Sequence, residues 1–274
     1  MTPFLSIIIP VYNNREYIAS AIENFISQKC EDCELLIMDG GSSDGTVDII
    51  ASFAQLNNEI RWVSEKDSGQ SDAMNKGIAL SKGKYISFLN VDDYYSENCL
   101  VEVCQILKQN TEIQYLVGNC NVWDQFGNLI YVNKPNKTKL WHVLSGYHFS
   151  VNPTAYFYLK RLHDVVGLYP NDNHFNMDLE MIIRFREVTF FHYYPCNWGN
   201  FRMLPNAKTF EDKLSNKLEE RKKELLNRYL TKQSFYMRVF VYIYSLKRKN
   251  IPKIKLFFRR LVGKLRFEFT RIKF

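Results

Sequence analysis

An α/β fold built on a mostly parallel sheet, with helices on both faces and a basic helical extension at the C-terminus, is predicted by three observations. Short β-rich apolar runs alternate with segments of helical periodicity through the first hundred residues. Those runs are continuously apolar instead of alternating, as expected of strands buried on both faces. The charge is also split along the chain. Residues 231–274 carry 13 Lys and Arg against one acidic residue, a net of +12, whereas the first 230 carry 23 against 28, a net of −5, within an overall +7.

The elements follow in order. "FLSIIIPVY" (4–12) reads as the first buried strand, and residues 14–28 then place Tyr17, Ile18, Ala21, Ile22 and Phe25 at helical spacing. "CELLIMDGG" (33–41) is a second strand ending in a glycine turn. "SSDGTVDIIASFAQL" opens the next helix, with Ser43 or Asp44 as N-cap. "IRWVSEKD" (60–67) is a third strand, "QSDAMNKGIALSKG" a helix stopped by Gly83, and "KYISFLN" a fourth strand. Beyond residue 97 the pattern changes. "NCLVEVCQILKQN" is a helix, and residues 113–135 read as a hairpin turning near "DQFGN". "VNPTAYFYLKRLHDVVGLYP" holds a strand and a short helix, "NMDLEMIIRFREV" a helix with an acidic start, and from 211 onward the chain is helical. This divides the chain into a body over 1–210, with halves 1–97 and 98–210, and an extension over 211–274.

Composition excludes several classes. Hydrophobic content of 46% and aromatic content of 15% supply a globular core. The six cysteines (30, 33, 99, 104, 120, 196) are scattered in a chain too large to need disulfide staples, which suits a reducing compartment. "CEDC" (30–33) has no second pair and reads as a loop after a helix, not as a metal site. The first residues lack a basic n-region and a cleavage site, and no run reaches the roughly 18–20 apolar residues of a spanning helix. The histidines 142, 148, 163, 174 and 192 show no ligand spacing, and His174 reads as a surface residue. Residues 251–274 place apolar side chains at helical spacing among Lys255, Arg259, Arg260, Lys264 and Arg266, so this helix is expected to lie on an anionic membrane surface. The competing expectation is a helix packed on the body with solvated charges. No base-reading module is present, so no nucleic-acid partner is expected.

Each of the first four strands ends on a polar cluster: Tyr12-Asn13-Asn14, Asp39-Gly40-Gly41, Glu65-Lys66-Asp67 and Asn90-Val91-Asp92-Asp93. In a parallel sheet all four lie along the carboxyl-end rim, where such sheets bind ligands. Asp92 and Asp93 repel each other unless they share a proton or a cation. A hard divalent ion, Mg2+ or Mn2+, suits one or two carboxylates with further ligands from a diphosphate. "DGGSSDGT" lacks the spacings of a phosphate-binding loop. Asp39, at a strand end beside two glycines, is placed to accept hydrogen bonds from a nucleobase or a ribose.

"SIIIPVYNN", "LLIMDGGSSDGT", "SEKDSGQSDAMNKGI", "FLNVDDYY" and "MDLEMIIRF", in this order and spacing, closely resemble family 2 glycosyltransferases, nucleotide-sugar-dependent enzymes with the Rossmann-like GT-A fold. The resemblance covers roughly residues 4–210. It implies that Pro10, Val11, Tyr12 and Asp39 hold the nucleobase, commonly uracil. It implies that Asp67, Gly69, Asp72 and Asn75, in a D-x-G-x-x-D-A-x-N-x-G segment, line the nucleotide–sugar side. "LNVDD" matches the metal motif usually written Asp-x-Asp, with Asp92 the main ligand to Mn2+ or Mg2+, Asp93 its helper, and the uncharged Asn90 where an acid is usual. Asp178 matches the catalytic base and Glu180 a second acid, both on a first helical turn whose dipole favours the ionised form. Arg202 and Lys208, in a segment resembling a loop over the donor phosphates, would neutralise the diphosphate, and residues 152–158 would line the acceptor side. The implied function is inverting transfer of a sugar, from a UDP-sugar, to a glycan or lipid-linked acceptor in cell-surface polysaccharide synthesis, in the cytoplasm at the inner face of the membrane. A second reading is a catalytically inactive GT-A-like nucleotide-sugar-binding or scaffold module, against which the presence of both Asp92 and Asp178 weighs.

Overall fold

The computed structural model describes residues 2–146, 149–171, 176–205 and 217–248. Lys208, His148, His174 and the amphipathic helix expected over 251–274 lie outside these. Strand β1 (Leu5–Val11) pairs in parallel with β2 (Cys33–Asp39) on one side and β4 (Tyr85–Phe88) on the other, and β2 pairs in parallel with β3 (Ile60–Ser64). Every residue of β1, β2 and β4 is buried, which is why these segments are apolar without alternation. The register sets Val11 opposite Asp39 and Asp39 opposite Ser64. The strand ends that carry the polar clusters are therefore level.

Past β4 the sheet is mixed. β8 (Tyr156–Leu159) runs antiparallel to β4 and to β6 (Tyr115–Trp123). β6 runs parallel to β9 (Phe191–Arg202), and β5 (Tyr94–Tyr95) pairs antiparallel with β9. β7 (Leu129–Asn133) forms the expected hairpin with β6. The result is one nine-stranded sheet, ordered β3-β2-β1-β4-β8-β6-β9-β5 with β7 off β6, and it runs unbroken through the boundary expected near residue 97.

Helices α1 (Arg15–Ser27), α2 (Thr46–Leu56) and α3 (Gln70–Leu80) connect the first four strands, and α4 (Cys99–Gln109) follows β5. Short α5 (Leu140–Leu144) and α6 (His163–Val166) precede α7 (Met177–Val188), α8 (Lys217–Thr231) and α9 (Phe235–Arg248). The side-chain alternation of β8 shows helices on both faces of the sheet. Tyr158 packs on Phe185 of α7 at 4.5 Å between ring centres, and Tyr156 bonds Asp178 of the same helix. Phe157 points the other way, onto Tyr95 and Trp198, and the Trp198 indole N–H donates to Glu102 of α4. Leu225, Tyr229 and Val241 bury α8 and α9 against the same core.

Three local expectations are corrected. The N-cap of α2 is Gly45, at φ 95°, not Ser43 or Asp44. Asp44 instead accepts from the Thr46 and Arg15 backbone N–H groups, linking the starts of α1 and α2. α3 ends at Leu80, with Ser81 in extended geometry as C-cap, two residues before Gly83. Residues 200–202, read as the start of a loop, close the long strand β9.

Candidate active site

The β1–β3 end of the rim is a set of interlocked turns. Asp39, at the end of β2, is buried. Its Oδ2 accepts from the backbone N–H groups of Gly41 and Ser42 at 3.0 Å and from the Ser64 hydroxyl at 2.6 Å, and its Oδ1 accepts from the Ser42 hydroxyl. Its acceptor capacity goes into shaping the loop. A Cβ on Gly40 would stand 2.6 Å from an Asp67 carboxylate oxygen, so the β2–α2 and β3–α3 loops touch because residue 40 has no side chain. Asp67 in turn accepts from the Gly69 N–H at 2.8 Å. Asp72 accepts from the Ser68 N–H at 3.0 Å and closes the first turn of α3. The Asn75 amide clamps the backbone of Tyr169, donating to its carbonyl and accepting from its N–H, both at 2.9 Å. Pro10 and Val11 are buried in β1, and Tyr12 is 62% exposed on the rim beside them.

The turn after β4 separates the two adjacent carboxylates. Asp93 is buried and accepts three hydrogen bonds: from the Asn90 amide at 2.9 Å, the Asn152 amide at 2.7 Å and the Arg202 backbone N–H at 3.0 Å. Burial, and then the charge of Asp92, push its carboxyl up to about 7, against these three donors. With hydrogen bonds on both oxygens, Asp93 is the post of the turn and does not fit the metal-ligand role expected of it. Asn90 is the complement of that post, because its amide donates where a carboxylate would repel. Its own oxygen accepts from Gln70 of α3 at 3.3 Å.

Asp92 differs from its neighbour. It is half-buried, and among the described residues no side chain bonds its carboxylate. Burial raises its pKa, opposed by its own backbone N–H and then by the Arg202 charge. Arg202 is held against this turn from the end of β9: its Nε donates to the Asp92 carbonyl, and its guanidinium lies over the rings of Tyr17 at 5.1 Å and Tyr94 at 5.7 Å. A single carboxylate bonded by no other side chain among the described residues fits a hard divalent cation that takes its other ligands from phosphates and water.

Asp178 sits in the first turn of α7, whose N-cap is Asn176. Its carboxylate accepts from the Tyr156 hydroxyl at 3.1 Å. Burial pushes its pKa up to about 6, and the Tyr156 hydrogen bond opposes the rise. Desolvation therefore outweighs the lowering expected from the helix dipole. The first turn of α3 joins the two acidic centres. Gln70 reaches Asn90, and the next residue, Ser71, donates its hydroxyl to the Met177 sulfur at 3.0 Å.

Glu180, two residues on from Asp178, is engaged with α8. Its buried carboxylate pairs with Arg184 at 2.6 Å and Arg228 at 2.8 Å and accepts from the Tyr229 hydroxyl at 3.1 Å, tying α7 to α8. His163 is a satisfied core histidine between Tyr158 and the Gly167 carbonyl. Sequence reasoning missed Gln70, Tyr17 and Tyr94, and it placed Asn152 and Tyr156 only within a segment expected to line the acceptor side, without their contacts. Their partners lie far along the chain, and no local spacing marks them. Nothing local marks the Asn152 amide as the donor to a carboxylate 59 residues away.

The sheet order and this rim define a GT-A fold. Solved structures that share it include S. aureus TarS 1–349 in complex with UDP-GlcNAc (TM-score 0.67, 13% identity, 89% of this chain and 72% of that chain). Another is the mannosyltransferase PcManGT from Pyrobaculum calidifontis in complex with GDP-Man and Mn2+ (TM-score 0.58, 13% identity, 96% of this chain and 80% of that chain). The chain belongs to glycosyl transferase family 2, whose model matches residues 6–165. Among curated relatives, the glycosyltransferase GlyG of Streptococcus pneumoniae is 28% identical over 132 residues, 48% of this chain and 44% of that protein. The chondroitin synthase of Pasteurella multocida is 31% identical over 193 residues, 68% of this chain and 19% of that protein. The chain thus spans less than half the length of these relatives.

Proposed function

We propose that this chain is an inverting glycosyltransferase that moves a sugar from a nucleoside diphosphate donor, a UDP-sugar, to a glycan or lipid-linked acceptor in polysaccharide synthesis. The observation that carries this reading is Asp178. It is a carboxylate with one protein hydrogen bond among the described residues, ionised at neutral pH, with a pKa raised to about 6 so that it can take a hydroxyl proton. In the proposed reaction the acceptor oxygen attacks the anomeric carbon as the bond from that carbon to the diphosphate breaks, and the hydroxyl proton passes to Asp178. One displacement inverts the anomeric configuration. Asp92 would hold a divalent ion, Mn2+ or Mg2+, which supplies charge neutralisation to the departing diphosphate. Arg202 fixes the backbone that presents Asp92, and Tyr12 and Asp67 line the donor side of the rim. The UDP and UDP-GlcNAc complexes of TarS support the donor class, and the chondroitin and hyaluronan synthases of Pasteurella multocida support a glycan acceptor.

Attachment to the inner face of an anionic membrane belongs to the same reading. It is supported by Phe235, Tyr236, Phe240 and Tyr242, exposed on α9, and by the basic sequence that follows. No helix among the described residues is long and apolar enough to cross a membrane.

The test incubates the full chain with a panel of nucleotide sugars and Mn2+ and measures release of nucleoside diphosphate. Release by the wild type, reduced by about 10²–10⁴-fold in Asp178→Asn with donor-induced thermal stabilisation retained, supports the assignment. Equal release by both proteins removes Asp178 from the chemistry. Binding without release in either supports the inactive binding module.

A further inference from the structure

At the opposite end of β2 from Asp39, three thiols converge. Cys30 and Cys33 bracket the turn between α1 and β2, and Cys104 lies on α4. The Cys104 sulfur is 3.7 Å from that of Cys30 and 3.8 Å from that of Cys33, and all three lie within 4.8 Å of one another. The site is about 20 Å along the strand from the rim, so it belongs to no part of the chemistry above.

The turn that carries the two N-terminal thiols is built and docked. The Cys33 N–H bonds the Cys30 carbonyl at 3.1 Å, and the Asp32 carbonyl accepts from the Phe4 and Leu5 N–H groups, which sets the turn against β1. Lys108, one helical turn beyond Cys104 on α4, reaches back to the Asp32 carboxylate at 2.6 Å. Two sulfurs on a short turn and a third from a helix 71 residues further on are thereby held in one place. Cys33 and Cys104 are buried, and Cys30 is half-buried, open to solvent on one side.

We propose that Cys30, Cys33 and Cys104 form a three-thiolate site for a soft divalent cation, Zn2+, that clips the α1–β2 turn to α4. Tetrahedral Zn2+ with Zn–S bonds of about 2.3 Å places its sulfurs about 3.8 Å apart, the spacing of Cys104 from each of the other two sulfurs. A disulfide would satisfy two of the sulfurs and strand the third beside them, whereas one cation satisfies all three. Three thiolates on a divalent ion leave one negative charge, and Lys108, shared with the Asp32 carboxylate, lies near it. The fourth position falls to water on the side of Cys30. The sequence concealed this site because "CEDC" has no second CxxC, and its third ligand is a lone cysteine inside a helix.

The test purifies the full chain without chelator and measures metal by mass spectrometry. About one zinc per chain is expected in the wild type and in Cys196→Ser, and none in Cys30→Ser or Cys104→Ser. Because serine at buried Cys104 can disturb α4 by itself, a second arm uses unmutated protein. Chelator-stripped wild type titrated with Co2+ should develop a thiolate-to-cobalt charge-transfer band and the visible bands of tetrahedral cobalt, both abolished by Zn2+. Wild type that carries no zinc and gives no such cobalt spectrum overturns the proposal. So does an intact mass short of a pair of hydrogens, which reports a disulfide.

Discussion

Asp178 owes its basicity to burial, and that gives it a pH signature. Its carboxyl is pushed up to about 6, so nucleotide release should rise through that pH and level off above it. The Tyr156 hydroxyl stabilises the ionised form, so Tyr156→Phe should move the rising limb to higher pH. The sign for stability is opposite. A carboxyl whose folded-state pKa lies above its unfolded value favours folding at low pH, and that contribution is lost as pH rises from the unfolded value through about 6. Asp178→Asn should therefore melt higher than wild type at pH 8, with the difference vanishing toward pH 4. At Asn90 the outcome is a cost. The amide donates to buried Asp93, and Asn90→Asp replaces that donor with a like charge. A loss of about 1–3 kcal/mol in urea denaturation is expected, even though the change restores the usual acid of the motif.

At the scale of elements, α7 has two acidic residues with separate jobs. Asp178 faces Tyr156 of β8, and two residues later Glu180 faces α8. Glu180→Gln should cost about 1–3 kcal/mol, discounted from a fully buried pair because Arg228 is half exposed, and should leave nucleotide release nearly unchanged. A large loss of release at unchanged stability would return Glu180 to the catalytic group. β9 is the other element with a double role. It lies between β6 and the short edge strand β5, and its last residue, Arg202, braces the Asp92–Asp93 turn through a backbone N–H and a guanidinium.

At the scale of the molecule, an acidic body carries a basic end. Full-length chain should sediment with vesicles rich in anionic lipid, and release by high salt would mark the attraction as electrostatic. A chain ending after residue 248 should bind more weakly by more than about tenfold, since each basic residue near such a surface contributes about 1 kcal/mol. Equal binding by the two chains would assign any affinity to the exposed aromatics of α9.

The sequence by itself determined the first four strands, the helices between them and the level rim of polar ends. All of these rest on local periodicity and on β–α alternation, which neighbouring residues encode. It also placed Asp178 on a first helical turn. Only the tertiary structure decided which carboxylates are open. Asp92 and Asp93 are equivalent as letters, yet Asp93 is capped by donors 59 and 109 residues away while no other side chain among the described residues bonds the Asp92 carboxylate. Glu180 is bonded by a tyrosine 49 residues on, and "CEDC" acquired a third thiol from α4. The physical reason is the same in each case. The state of a charge or a thiol is set by desolvation and by the donors packed against it, and in a nine-stranded mixed sheet those arrive from distant parts of the chain.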